Sequence, residues 1–311
     1  MYSYEQMLTE LELLKNTYPN LMILQEAGRS LDGRKIMEVV IGNPDTSRHI
    51  LIQSTIHGRE YMNTRLAMKQ LGETLKKYTY GTYHENSYES LFEQVCFHIL
   101  PMTNPDGVTI SQRGLKGIRN ASLRSILETC RQNDLGRVDD EISADMYWKR
   151  WKANARGVDL NRNFNSGWKA YQGSVLPSFE RYKGEWPESE PEVQTILKVA
   201  ENNRTVCTIS YHSSGEVIYW DYGSTEETLE ADRQLAKLVS HITGYNMESS
   251  VQSAQDAAGC SDYFVLEKNI PSVTIENGKA DCPLPMEEFG PIWKANDNLW
   301  PALAEFMLQD V

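Results

Sequence analysis

The chain has 311 residues, 40% of them apolar and 24% charged, which suits a real hydrophobic core and excludes a disordered chain. Its 31 basic and 43 acidic residues leave a net charge of −12, which repels nucleic acid and anionic lipid and makes neither an expected partner. The five cysteines are odd in number and show no CxxC spacing, so reduced thiols are expected.

The start, MYSYEQMLTELELLKN, is acidic and lacks a basic-plus-apolar leader, and no apolar run reaches the roughly 20 residues of a membrane span. The expectation is a cytoplasmic chain without a membrane partner. The same stretch predicts a helix with Met7, Leu8 and Leu11 on one face and Pro19 beyond its end. LMILQEAG and KIMEVVIGN predict strands joined by the turn RSLDGR, and HILIQST predicts a central strand apolar on both faces. NTRLAMKQLGETLKKY has helical spacing, and QVCFHILPM is a second buried strand ending in the turn-former NPDG. Residues 111–150 are polar and irregular and are expected to be a surface insertion, with a possible helix over ASLRSILETCR. Ser189 and Glu192 match a capping box for the helix that follows. TVCTISYHSSG is a strand running into a histidine, and STEETLEADRQLAKLVSHITG is an amphipathic helix with Leu235, Leu238 and Ile242 on its core face. PSVTIENG is a strand ending in a glutamate, and the C-terminal segment predicts a helix, or a pair broken near Pro301.

Strands apolar on both faces, alternating with helices, predict an α/β fold. Residues 1–311 are expected to form one domain with a central mixed, largely parallel, twisted sheet covered by helices on both faces. Ligands of such sheets collect beyond the carboxyl ends of the strands. His57, Asn104, His212 and Glu276 all fall at predicted strand ends.

A catalytic zinc takes three nitrogen and oxygen ligands and keeps one position open. His57 and Glu60, three apart on an opening helical turn, can face one point, and His212 can supply a distant third ligand. An HxxE pair alone reads equally as a helix cap and a solvated acid. The segment GVDLNRNF, residues 157–164, adds to this. With it, the chain from about residue 20 to 290 resembles the zinc metallocarboxypeptidases, which carry an HxxE pair, a DxNRN segment, a distant zinc histidine and a late catalytic glutamate.

The resemblance implies one zinc ion per chain held by His57, Glu60 and His212, with Glu276 as the general base. It implies that Arg162 and Asn161 hold the free C-terminal carboxylate of a small peptide substrate. It also implies that Asp159 fixes the tautomer of His57. The family's oxyanion-stabilising arginine aligns best with Lys152, with Arg150 and Arg156 as neighbouring alternatives. Arg150 is also a candidate substrate contact. The mobile tyrosine of the digestive enzymes aligns with Ala254, while Tyr245 and Tyr263 are out of register. Cys260, Ser261 and Asp262 fall near the base of the side-chain pocket, and Ser261 is a candidate substrate contact there.

Within that family the sequence is similar to bacterial γ-D-glutamyl-diaminopimelate peptidases. This implies cleavage of the γ-D-Glu to meso-diaminopimelate bond in murein peptides. The alternatives are a general carboxypeptidase, a deacylase of N-acyl amino acids and an inactive peptide-binding relative.

Overall fold

The computed structural model describes residues 1–135, 144–250 and 258–309. Eight strands form one mixed sheet: β1 (Met22–Arg29), β2 (Lys35–Gly42), β3 (His49–Ser54), β4 (Cys96–Leu100), β5 (Cys207–His212), β6 (Val217–Asp221), β7 (Asn246–Ser249) and β8 (Ser272–Glu276). Their spatial order is β1-β2-β4-β3-β5-β8-β6-β7. The four central strands β4, β3, β5 and β8 run parallel, β2 and β6 pair antiparallel on either side of them, and β1 pairs antiparallel with β2. The fold is a single domain with a mixed sheet flanked by helices, as the patterning predicts.

Alternation along β3 shows why both faces are covered. Ile50 and Ile52 join a cluster with Met7, Leu11, Leu66, Leu71 and Trp300, whereas Leu51 joins a second cluster with Val193, Ile196 and Phe264 on the opposite face. The first cluster is roofed by helices Tyr4–Thr17, Met62–Lys77, Glu226–Thr243 and Leu299–Phe306, and the second by Pro191–Asn202 and Cys260–Lys268. Truncating a wholly buried leucine such as Leu66 to alanine costs about 3 kcal/mol.

The first helix carries a capping box from Ser3 and Gln6. The one expected at Ser189 and Glu192 is absent. Glu190 is the N-cap residue without a side-chain cap, and the Glu192 side chain turns inward to accept from Asn154 Nδ2 at 3.3 Å. NPDG is a helix start rather than a turn: Asn104 Oδ1 accepts from Gly107 N at 2.8 Å and Pro105 opens the helix Pro105–Arg113. The C-terminal helices are Phe289–Asn296 and Leu299–Phe306, so the break precedes Pro301. The proline sits in a first turn, where its missing N–H leaves no bond unmade.

Within 111–150, helices Ala121–Asp134 and Ala144–Lys149 are present, and Ile118, Leu127 and Trp148 join Trp151 in a third apolar cluster. All five cysteines are unpaired. Among the described residues no helix is long and apolar enough to cross a membrane.

Candidate active site

The site is built at the carboxyl ends of three neighbouring parallel strands. His212 ends β5 and Glu276 ends β8, and the two are partners in the ladder. Beyond β3, Thr55 takes a left-handed φ of 56° and the chain turns through His57 to Glu60, closed by Glu60 N donating to His57 O at 3.1 Å. Helix Met62–Lys77 begins just after, so the pair lies on the turn before the helix. The loop is held tightly. Asn104 Nδ2 donates to Ile56 O at 3.0 Å and to Ala153 O at 3.1 Å. A Cβ on Gly58 would lie 2.3 Å from the Gly107 carbonyl carbon, so only glycine fits.

His57 Nδ1 lies 2.8 Å from Glu60 Oε1 and 3.1 Å from His212 Nδ1, and His212 Nδ1 lies 3.2 Å from Glu60 Oε2. The three residues are at most 3% exposed. His57 Nε2 faces Asp159 Oδ1 at 3.3 Å, so a ring proton on Nε2 would meet a carboxylate and leave Nδ1 as a lone pair for a metal. Two imidazole nitrogens and a carboxylate converging in a buried space form a donor set that fits zinc. His57 and His212 hold Glu60 well below the usual carboxylate range although burial opposes them. Burial pushes the Glu276 carboxyl up to about 7, against the pull of His212.

Asparagine amides tie the elements together. Asn296 Nδ2 donates to Asn277 Oδ1 at 2.9 Å, Asn277 Nδ2 to Asn63 Oδ1 at 3.1 Å, and Asn63 Nδ2 to Ser213 Oγ at 3.1 Å. Asn277 follows Glu276 and Ser213 follows His212.

Asp159 is wholly buried; Lys152, His57 and Arg162 outweigh that burial and keep its carboxyl well below the ordinary value. Lys152 Nζ lies 3.5 Å from Asp159 Oδ2, and its charge also reaches His57 and Glu276. The two arginines weighed beside it point elsewhere. Arg150 is exposed and lies over the Phe179 ring at 5.9 Å, and Arg156 pairs with Glu190 at 3.2 Å.

Arg162 leaves a short 3-10 turn, Leu160–Arg162, and lies over Tyr171 with 5.3 Å to the ring centroid. Burial opposes its charge, but Asp159, Tyr171 and Asp262 raise its pKa above the ordinary value. Asn161 Oδ1 accepts from Cys260 N at 2.9 Å. A Cβ on Gly259 would lie 2.6 Å from Asp262 Oδ2 and 3.2 Å from Asn161 Oδ1, so these side chains share one narrow space. Ser261 is brought in but sunk: it is 2% exposed, with its hydroxyl 2.9 Å from Thr274 Oγ1 and 3.4 Å from Ser210 Oγ. Tyr222 OH donates to the same Thr274 oxygen at 3.1 Å. Ala254 lies outside the described residues.

Sequence reasoning passes over Arg59, Tyr171 and Tyr222. Arg59 stands between His57 and Glu60, contacts Glu180 at 3.4 Å, and lowers the pKa of Glu276. Its place inside the metal loop was the available signal. The tyrosines had none, because tertiary contacts alone bring them in.

The family model for zinc carboxypeptidases matches residues 7–298. The γ-D-glutamyl-L-diamino acid endopeptidase 1 of Lysinibacillus sphaericus is 28% identical, across 94% of this chain and 69% of its own length. Carboxypeptidase B of Astacus astacus is 23% identical, across 84% and 80%. Among solved structures, thrombin activatable fibrinolysis inhibitor covers 99% of this chain and 77% of its own at 20% identity, with a TM-score of 0.74. The murein-tripeptide amidase MpaA of Escherichia coli O157 covers 91% of both chains at 19% identity, with a TM-score of 0.51. The chain belongs to the zinc carboxypeptidase family and is a zinc-dependent metallopeptidase.

Proposed function

We propose that the enzyme releases a C-terminal diamino acid from murein peptides by hydrolysing the γ-D-Glu to meso-diaminopimelate bond. The observation that carries this reading is a pair of opposite charges that feel each other, Arg162 and Asp262, together with a cluster of hydroxyls from Ser261, Thr274 and Tyr222. A residue with a carboxylate at one end and a zwitterion at the other needs a cation, an anion and neutral polar partners. An aromatic or aliphatic side chain would leave those groups unpaired. The name of the Lysinibacillus relative supports the same bond type.

In this reading Arg162 grips the terminal carboxylate through parallel N–H bonds and Asn161 adds its amide. Asp262 and the hydroxyls receive the distal ammonium. His57, Glu60 and His212 would hold the zinc ion, which would supply a Lewis acid for the scissile carbonyl and for a bound water. Glu276 takes the proton of the attacking water and returns it to the leaving nitrogen. Lys152 offsets negative charge developing on the carbonyl oxygen, the role given to an arginine in the resemblance. Asp159 keeps His57 in the ligating tautomer.

The test is incubation of the zinc-loaded enzyme with L-Ala-γ-D-Glu-meso-diaminopimelate while free diaminopimelate is followed by mass spectrometry. Release is expected. Turnover of ordinary α-linked peptides with no release from this one would reject the reading.

A further inference from the structure

Strands β3 and β4 carry a second histidine cluster at their amino ends, roughly 17 Å along β3 from the catalytic edge. His49 and Cys96 start the two strands and are ladder partners, and His98 lies two residues on. They are 8%, 0% and 2% exposed. Nothing in the peptidase mechanism uses them.

The protons in this cluster can be assigned from their partners. His49 Nε2 is 2.7 Å from the Thr46 carbonyl oxygen, which only accepts, so Nε2 carries hydrogen. His98 Nδ1 is 2.7 Å from Glu38 Oε1, while the other Glu38 oxygen accepts from Gln25 at 2.8 Å, so Nδ1 carries hydrogen too. The remaining nitrogens, His49 Nδ1 and His98 Nε2, then face each other as lone pairs at 2.9 Å, with Cys96 Sγ 3.5 Å from the latter. Two lone pairs so close repel unless something positive lies between them.

The catalytic histidines show the same spacing, 3.1 Å between ligating nitrogens. The outer contacts match a metal centre as well. Ligating histidines characteristically donate the far ring N–H to a carboxylate or a backbone carbonyl, and here Glu38 and Thr46 supply one of each. The three possible ligand atoms lie within 4.8 Å of one another. A thiolate with two imidazoles selects zinc or copper(I) over harder cations.

We propose that His49, His98 and Cys96 bind a d10 cation, zinc or copper(I), in a structural site that clamps β2, β3 and β4 together. Binding releases the Cys96 thiol proton to solvent and involves no redox step. Cys96 has no exposed surface, so the site does not act on substrate.

The test is titration of the metal-stripped protein with cobalt(II), zinc and copper(I). Two equivalents of zinc or cobalt are expected, or one of zinc plus one of copper(I). The catalytic ligands include no sulfur, so a thiolate-to-cobalt charge-transfer band in the near ultraviolet reports the second site alone. Cys96→Ser is expected to abolish the band and remove one equivalent, with peptidase turnover within about twofold of wild type because the sites are distant. A wild-type protein that shows no band, takes up no second equivalent of zinc or cobalt, and binds no copper(I) once its catalytic site is filled with zinc overturns the proposal and leaves a proton-sharing network. A second equivalent that survives Cys96→Ser overturns it as well. Should that variant fail to fold, the wild-type titration decides alone.

Discussion

Strand β3 begins at His49 and leads the chain, eight residues later, to His57, and the two histidines differ in what surrounds them. Each meets a second histidine at about 3 Å, and each cluster is buried. At the amino end the outer contacts are Glu38, Thr46 and Gln25, all committed to each other or to the rings. At the carboxyl end stand a partly exposed Glu276 with a raised pKa, Lys152 16% exposed, and Arg162. A histidine pair becomes catalytic through what its neighbours leave open to a substrate. The parallel strands decide which end that is, because the longer loops that carry these groups follow their carboxyl ends.

The comparison breaks most sharply at Glu276. Glu276→Gln is expected to lower kcat by about 10³-fold while zinc content by mass spectrometry stays at wild type. Retained turnover would remove Glu276 as the base. Lys152→Ala is expected to lower kcat by about 10²-fold, with Lys152→Arg recovering most of it, since either cation can face a developing oxyanion. Arg162→Ala is expected to raise KM by about 10²-fold for peptides with a free carboxylate and far less for amidated ones. Equal losses on both would separate Arg162 from the terminus.

Three smaller effects sharpen the contrast. The acid limb of kcat/KM reports Glu276, which must be ionised to act. Its apparent pKa is expected between the ordinary 4.5 and about 7, because zinc's charge pulls the raised value back down. The same raised carboxyl costs stability in the metal-free protein. Its folded value lies above its unfolded one, so stability falls as pH rises between about 4.5 and 7. Glu276→Gln is then expected to gain on the order of 2 kcal/mol at pH 8 by urea unfolding. At the other end, Glu38→Gln is expected to lose about 2 kcal/mol and leave kcat unchanged, since it weakens a buried charged hydrogen bond far from the chemistry.

The convergence of His57, Glu60, His212 and Glu276 was legible in the sequence because each closes an apolar strand or the turn after it, and strand ends can be read from a single chain. That helices cover both faces of the sheet was legible because the central strands are apolar along their whole length. Misreadings occurred where a local motif competes with a tertiary contact. Glu192 has capping-box spacing, yet Asn154, 38 residues earlier, takes its carboxylate. NPDG was misread for a different reason: Asn-Pro is also a helix-start signal, and the turn reading gave it no weight.

The run of amides from Asn296 through Asn277 and Asn63 to Ser213 has a polarity, since Asn277 and Asn63 each give through nitrogen and receive through oxygen. Reversing Asn277 would set nitrogen against nitrogen on one side and oxygen against oxygen on the other. The relay therefore behaves as a caliper with a single setting. Residues beside Glu276 and beside His212 are its jaws, and a substitution at Asn63 or Asn277 would be felt as a changed gap between them.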